Sequence, residues 1–227
     1  MLKNGKVKAL SLSLLVSLAF ANTAHAQVTD EDISQDHIST DQIGTSGMGL
    51  RGQRYSTLET INTATVEDIR PVWSFSLGGE KQRGQESQPM IKNGVMFVTG
   101  SYSMVFAIDA RTGDDLLQYD ARLPDGIMPC CDVINRGVAL YGDLVIFGTL
   151  DAKLVALDKD TGKVVWKKTV EDYKAGYSIS AAPIIVKGNV ITGIAGGEFG
   201  VVGNVRAYNA TNGDLVWERP TVSVHHG

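Results

Sequence analysis

The sequence predicts an all-β fold of stacked four-stranded units, a β-propeller, from two observations. One seven-residue pattern recurs at nearly equal spacing, and a hairpin signal precedes each copy. Ala107-Ile108-Asp109-Ala110-Arg111-Thr112-Gly113, Ala156-Leu157-Asp158-Lys159-Asp160-Thr161-Gly162 and Ala207-Tyr208-Asn209-Ala210-Thr211-Asn212-Gly213 align without gaps, 49 and then 51 residues apart. A period near 50 with about four strands per unit is the signature of a propeller blade, and a sandwich does not explain the recurrence.

Taken in order, residues 1–26 read as a signal peptide. Lys3, Lys6 and Lys8 precede an apolar run from Ala9 to Ala21, and Ala24-His25-Ala26 offers small residues for cleavage before Gln27. That run is shorter than a bilayer-spanning helix needs, so no membrane anchor is expected. Residues 27–52 are polar and lack either apolar period, which predicts an irregular arm. From 53 to 227 the chain reads as a partial propeller. Val66-Glu67-Asp68-Ile69 suggests a short turn or helix, and Pro71-Val72-Trp73-Ser74-Phe75-Ser76 alternates like a strand.

Asn93-Gly94, Tyr141-Gly142 and Lys187-Gly188-Asn189 each stand before an apolar run, as two-residue hairpin turns require. In the repeated element the Asp or Asn can bond its own backbone two residues on, and the Gly supplies positive φ. A tryptophan follows at one offset in the second and third copies, Trp166 and Trp217, with Leu117 in the first. The predicted unit is strand, turn, strand, Asp-turn, then a strand ending at that position. These residues are scaffold, the Trp packing between neighbouring blades.

The chain carries 21 basic and 25 acidic side chains, and loss of the three leader lysines moves the net charge from -4 to about -7. That balance argues against nucleic acid as a partner. The two cysteines, Cys130 and Cys131, are adjacent, so they form neither a CxxC metal site nor a haem attachment site. Export favours their oxidation, while two free neighbouring thiols are the plainer alternative. Two loops carry further chemistry. Arg136 follows the Cys pair and suits an anionic oxygen pair, because its guanidinium is a fixed fork of donors. Ala195-Gly196-Gly197-Glu198-Phe199-Gly200 combines glycines, which admit a ligand close to the backbone, with a carboxylate that suits calcium. No GxGxxG pattern supports a nicotinamide cofactor.

The Ala-x-Asp-x-x-Thr-Gly-x-x-x-Trp units and these loops resemble the eight-bladed quinoprotein alcohol dehydrogenases from about Leu58 to Pro220, with three to four blades present. The resemblance implies pyrroloquinoline quinone as cofactor, with Glu86, Cys130, Cys131, Arg136, Ser180, Gly196 and Gly197 contacting it. It implies a disulfide between Cys130 and Cys131 packed on one quinone face. That bond is costly, since adjacent Cα atoms lie about 3.8 Å apart while disulfides usually span about 4.4 to 6.8 Å. Glu198 is the implied ligand of calcium, or of a lanthanide in its place. Ser180 stands where Thr is commoner, and Ala195 where many members have Ser. A periplasmic enzyme is implied that oxidises primary alcohols to aldehydes and passes electrons to a cytochrome c, its catalytic base expected beyond Gly227. His225 and His226 have no companion ligands and receive no role. A non-catalytic propeller binding exported proteins would explain the repeats but not the Cys pair, Arg136 or Glu198. A sugar dehydrogenase of the same superfamily is opposed by the Cys pair.

Overall fold

The computed structural model describes residues 27–78, 83–129 and 132–222. Residues 1–26, read above as a signal peptide, and the Cys130–Cys131 pair fall outside these residues. Twelve strands form three antiparallel sheets, each a four-stranded meander in chain order. The first holds β1 (Met90–Lys92), β2 (Val95–Thr99), β3 (Val105–Asp109) and β4 (Asp115–Tyr119). The second holds β5 (Ala139–Tyr141), β6 (Leu144–Gly148), β7 (Lys153–Asp158) and β8 (Val164–Thr169). The third holds β9 (Ile184–Val186), β10 (Asn189–Gly193), β11 (Asn204–Asn209) and β12 (Leu215–Pro220). Each sheet is one blade.

The turns form for the reasons the sequence suggests. Asn93 and Gly94 adopt φ of 52° and 77°, and Lys187 and Gly188 adopt 49° and 70°, the paired positive φ of a turn whose twist matches its strands. In the repeated element Asp109 Oδ1 accepts from the Arg111 and Thr112 amides at 2.8 and 2.9 Å. Asp158 Oδ1 accepts from the Thr161 amide at 2.8 Å and its hydroxyl at 2.7 Å. These bonds favour the ionised carboxylates: the Thr112 amide leads in holding Asp109 below its usual range, and the Thr161 hydroxyl leads for Asp158. A register shift recurs at the same place in all three units, between Ala107 and Ile108, Ala156 and Leu157, and Ala207 and Tyr208.

Blades lock together through the repeat's glycine. A Cβ added at Gly213 would lie 2.7 Å from Trp166 Cε3, and one at Gly162 would lie 2.5 Å from Leu117 Cδ1. Trp166 also donates Nε1–H to the Ala210 carbonyl at 3.0 Å. The outer-strand side chain of one blade thus seats on the Asp-turn of the next, with Leu117 taking the indole's place. These side chains lie within their strands rather than at the ends. The middle blade, covered on both faces, holds the driest core: Ile146, Phe147, Leu154 and Val155 are fully buried. The last strand, β12, is exposed along its whole length.

Two expectations need correction. The segment at 71–76 is extended, with Val72 exposed and Trp73 and Phe75 partly buried, but it joins no ladder among the described residues. Alternation fixes a backbone conformation, whereas a strand also needs a neighbour to bond. Trp73 nonetheless packs on Gly113 and donates to the Ala110 carbonyl at 3.2 Å, as Trp166 does on Gly213 and Ala210 two blades on. The arm at 27–52 is not wholly irregular either. It contains α1 (Asp30–Gln35), started by a capping box in which the Asp32 amide donates to Thr29 Oγ1 at 3.2 Å and the Thr29 amide to Asp32 Oδ2 at 2.8 Å. Six residues are too few to reveal a helical period.

This arm runs beside the first strand of each blade. Val28 and Gly142 exchange backbone bonds at 3.0 and 2.7 Å, and Ile43 and Ile91 exchange them at 2.9 and 2.8 Å. Gly188 donates its amide to Asp30 Oδ1 at 3.0 Å, and Lys92 pairs with Asp32 at 2.8 Å. One short segment therefore ties all three blades together at their hairpin ends. The opposite ends of the same strands carry the loops that matter for chemistry.

Candidate cofactor site

Three loops that lead into β1, β5 and β9 meet in a chain of main-chain bonds. The Gln88 amide donates to the Arg136 carbonyl at 3.3 Å, and the Arg136 amide donates to the Ser180 carbonyl at 3.0 Å. Side chains follow the same path. Arg136 Nε pairs with Glu86 Oε2 at 2.9 Å, and Arg136 Nη1 donates to Ser180 Oγ at 3.0 Å. The structure therefore brings Glu86, Arg136 and Ser180, one from each blade, into direct contact. Ser180 is buried, while the side chains of Arg136 and Glu86 remain 41% and 48% exposed. A cation held on two sides and open on a third is equipped to take an anionic oxygen.

The glycine loop joins through the same segment. Ser178 and Ala195 form an antiparallel pair, with the Ser178 amide to the Ala195 carbonyl at 3.0 Å and the Ala195 amide to the Ser178 carbonyl at 2.8 Å. Between Ser178 and Ser180, Ile179 points into the core and holds the segment down, 1% exposed and bonded through its amide to the Thr149 carbonyl at 3.1 Å. After Ala195 the chain bends at Gly196, with φ of 130°, into a short turn over Gly197–Phe199. A Cβ on Gly196 would lie 2.2 Å from the Gly176 carbonyl oxygen, so only glycine fits. At Gly197 an added Cβ would meet no heavy atom within 4 Å. The backbone there faces open space, room for a flat ligand to approach.

Glu198 stands on that turn with its side chain exposed. Among the described residues no three His, Cys, Asp or Glu side chains gather as a metal centre, so Glu198 is a single carboxylate donor rather than a complete site. Asp132, directly after the cysteines, adopts φ of 64°, a strained value for a residue with a side chain. Sequence reasoning passed over Thr99, Asn135 and Ser178. Asn135 sits inside a segment read for Cys131 and Arg136, and nothing in the pattern marks it as buried.

The chain has counterparts among known proteins. A family model described as PQQ, "Glucose/ethanol/alcohol dehydrogenase, beta-propeller domain", matches residues 45–225. The chain belongs to this family. It is 64% identical over 218 residues to the quinoprotein alcohol dehydrogenase PedH of Pseudomonas putida, covering 96% of this chain and 37% of that protein. It is 50% identical to the 1-butanol dehydrogenase (quinone) of Thauera butanivorans, covering 97% of this chain and 36% of that one. The quinohemoprotein alcohol dehydrogenase from Comamonas testosteroni superposes with a TM-score of 0.80 at 39% identity, over 86% of this chain and 29% of that one. A europium-containing methanol dehydrogenase superposes with a TM-score of 0.80 at 34% identity, over 85% of this chain and 34% of that one. The chain thus spans about a third of the length of the curated relatives it matches. No helix among the described residues is long and apolar enough to cross a membrane.

Proposed function

We propose that this chain is the cofactor-cradling part of a periplasmic quinoprotein alcohol dehydrogenase that oxidises primary alcohols to aldehydes. The observation that carries the reading is the Arg136 guanidinium held between Glu86 and Ser180 at 2.9 and 3.0 Å while still 41% exposed. The names of the relatives, all quinone-dependent alcohol oxidisers, support the reaction class. Pyrroloquinoline quinone, when bound, supplies the electron-accepting quinone.

The residues present fit such a group. Arg136 would neutralise its anionic oxygens, and because both held nitrogens are fixed from neighbouring blades, little side-chain freedom remains to be lost on binding. Glu86 orients the guanidinium and tempers its charge. Ser180 fixes the other side of the fork and adds a hydroxyl at the floor. Gly196 permits the bend that presents Gly197, whose open main chain would let the ring plane approach, and Glu198 would lend one oxygen donor to calcium or a lanthanide. In this reading Cys130 and Cys131 are joined as a disulfide against the quinone, and a periplasmic cytochrome c takes the electrons. The europium in the name of one structural neighbour supports a trivalent ion as readily as calcium.

The test uses the whole protein as its gene encodes it. Cofactor-free protein should gain alcohol-dependent dye reduction when pyrroloquinoline quinone is added with calcium or with a lanthanide. Protein that binds the quinone yet oxidises no primary alcohol with either ion would refute the activity. Arg136→Ala that binds quinone as tightly as the wild type would refute the site.

A further inference from the structure

Asn135 immediately precedes the clamped arginine and is 2% exposed. An amide so deeply buried is unfavourable unless its donors and acceptors find partners, and here they do. Asn135 Nδ2 donates to the Gly148 carbonyl at the end of β6 at 2.8 Å. Its Oδ1 accepts from the Gly137 amide at 3.0 Å, and its main-chain carbonyl accepts from Thr99 Oγ1 at 2.9 Å. Thr99 ends β2 of the preceding blade and is fully buried, its own amide bonded to Ser87 Oγ at 2.9 Å.

These three bonds have one geometric effect. They fix the peptide units on both sides of Arg136, the one before it to the preceding blade and the one after it to the Asn135 side chain, which is itself anchored on the end of a core strand. Gly137 completes the bend with φ of 129°, where an added Cβ would lie 3.1 Å from the Gln88 carbonyl oxygen. The root of the arginine side chain is thereby set in position and direction. Glu86 and Ser180 can hold the guanidinium only if that root is correct, because a long flexible chain reaches two partners on different blades from few starting points.

We propose that Asn135, with Thr99 behind it, is the positioning residue for Arg136, acting on the cofactor through the arginine and without touching it. The proposal rests on the reading of Arg136 as a cofactor-holding group. Asn135 is 2% exposed and both polar ends of its side chain are bonded within the protein, so its contribution should vanish when the arginine is gone.

A double-mutant cycle on the whole cofactor-free protein tests this, reading the dissociation constant for pyrroloquinoline quinone by titration, with thermal melting alongside. Asn135→Ala should weaken binding about tenfold, the size of one or two hydrogen bonds. In an Arg136→Ala background the same change should alter affinity less than about twofold. Thr99→Val, which removes one bond at nearly constant volume, should act in the same direction by about threefold, and it serves if Asn135→Ala fails to fold. Equal losses in both backgrounds would overturn the proposal, since a residue that merely supports the fold would not distinguish them. So would wild-type affinity in Asn135→Ala or in a folded Thr99→Val. Arg136→Ala with undiminished affinity would instead remove the cofactor reading on which this one stands.

Discussion

Substituting alanine at two consecutive glycines should have opposite outcomes, and the contrast tests the geometry of the cofactor loop. At Gly196, φ of 130° lies where side chains are strained, and the new Cβ would sit 2.2 Å from the Gly176 carbonyl oxygen and 2.9 Å from Val201 Cγ2. The strained φ alone costs about 1 to 3 kcal/mol. Relieving the clash must move main chain by about an ångström in a packed interior, adding about 1 to 3 kcal/mol. A total of about 2 to 6 kcal/mol follows, borne by the Ser178–Ala195 bridge that abuts the loop. At Gly197 φ is ordinary and an added Cβ meets nothing within 4 Å, so alanine should be neutral or stabilise by up to about 1 kcal/mol through a less flexible unfolded chain. Thermal melting of both variants of the whole protein, with amide exchange at Ser178 and Ala195, provides the assay. Gly196→Ala should melt lower and exchange faster at both amides, and Gly197→Ala should match the wild type. Equal melting and equal exchange in the two variants would refute the close approach of Gly196 to Gly176.

Trp166→Ala should cost about 3 to 5 kcal/mol, because the indole is 8% exposed, fills the space over Gly213 and donates to Ala210; denaturant unfolding measures it, and a loss under about 1 kcal/mol would contradict the blade lock. Partial burial would raise the carboxyl of Asp32, but bonds from Lys92 and Thr29 outweigh it and hold the group at about 2 against 3.8. Since the folded value lies below the unfolded one, this contribution is complete well above pH 3.8 and is lost as pH falls through about 2. Discounted for exposure it amounts to about 1 kcal/mol, and Asp32→Asn should flatten that part of the stability curve; an unchanged acid limb would dismiss it. Arg136→Lys should weaken quinone binding about tenfold or more, because an ammonium cannot hold Glu86 and Ser180 in fixed directions and still face a ligand; titration checks it. Unreduced peptide mapping of freshly isolated protein should find Cys130 and Cys131 joined to each other, and two freely alkylated thiols would remove them from the proposed site.

Much of the architecture is legible in local pattern because its causes are local. Asp109, Asp158 and Asn209 announce the turn they close, since each bonds amides two and three residues on. Asn93-Gly94 announces a hairpin because the turn demands positive φ at both residues. Trp73 shows where such reading stops: its alternation is real, yet a ladder depends on a partner strand that periodicity cannot supply. The helix at Asp30–Gln35 was written in its capping box, Thr29 with Asp32, but was too short to carry a period.

By itself the sequence determined the repeat, the turns and the kinds of residue available for binding, because these follow from side-chain chemistry and near-neighbour geometry. Tertiary structure decided which of them act together. Glu86, Arg136 and Ser180 lie 50 and 44 residues apart along the chain and meet only because successive blades present the same loop at the same end. Asn135 is a surface-like residue type in a loop-like stretch, and only the closure of two blades over it leaves it 2% exposed with both ends of its side-chain amide bonded. Burial is a property of what arrives from elsewhere in the chain, so no local pattern could have foretold it.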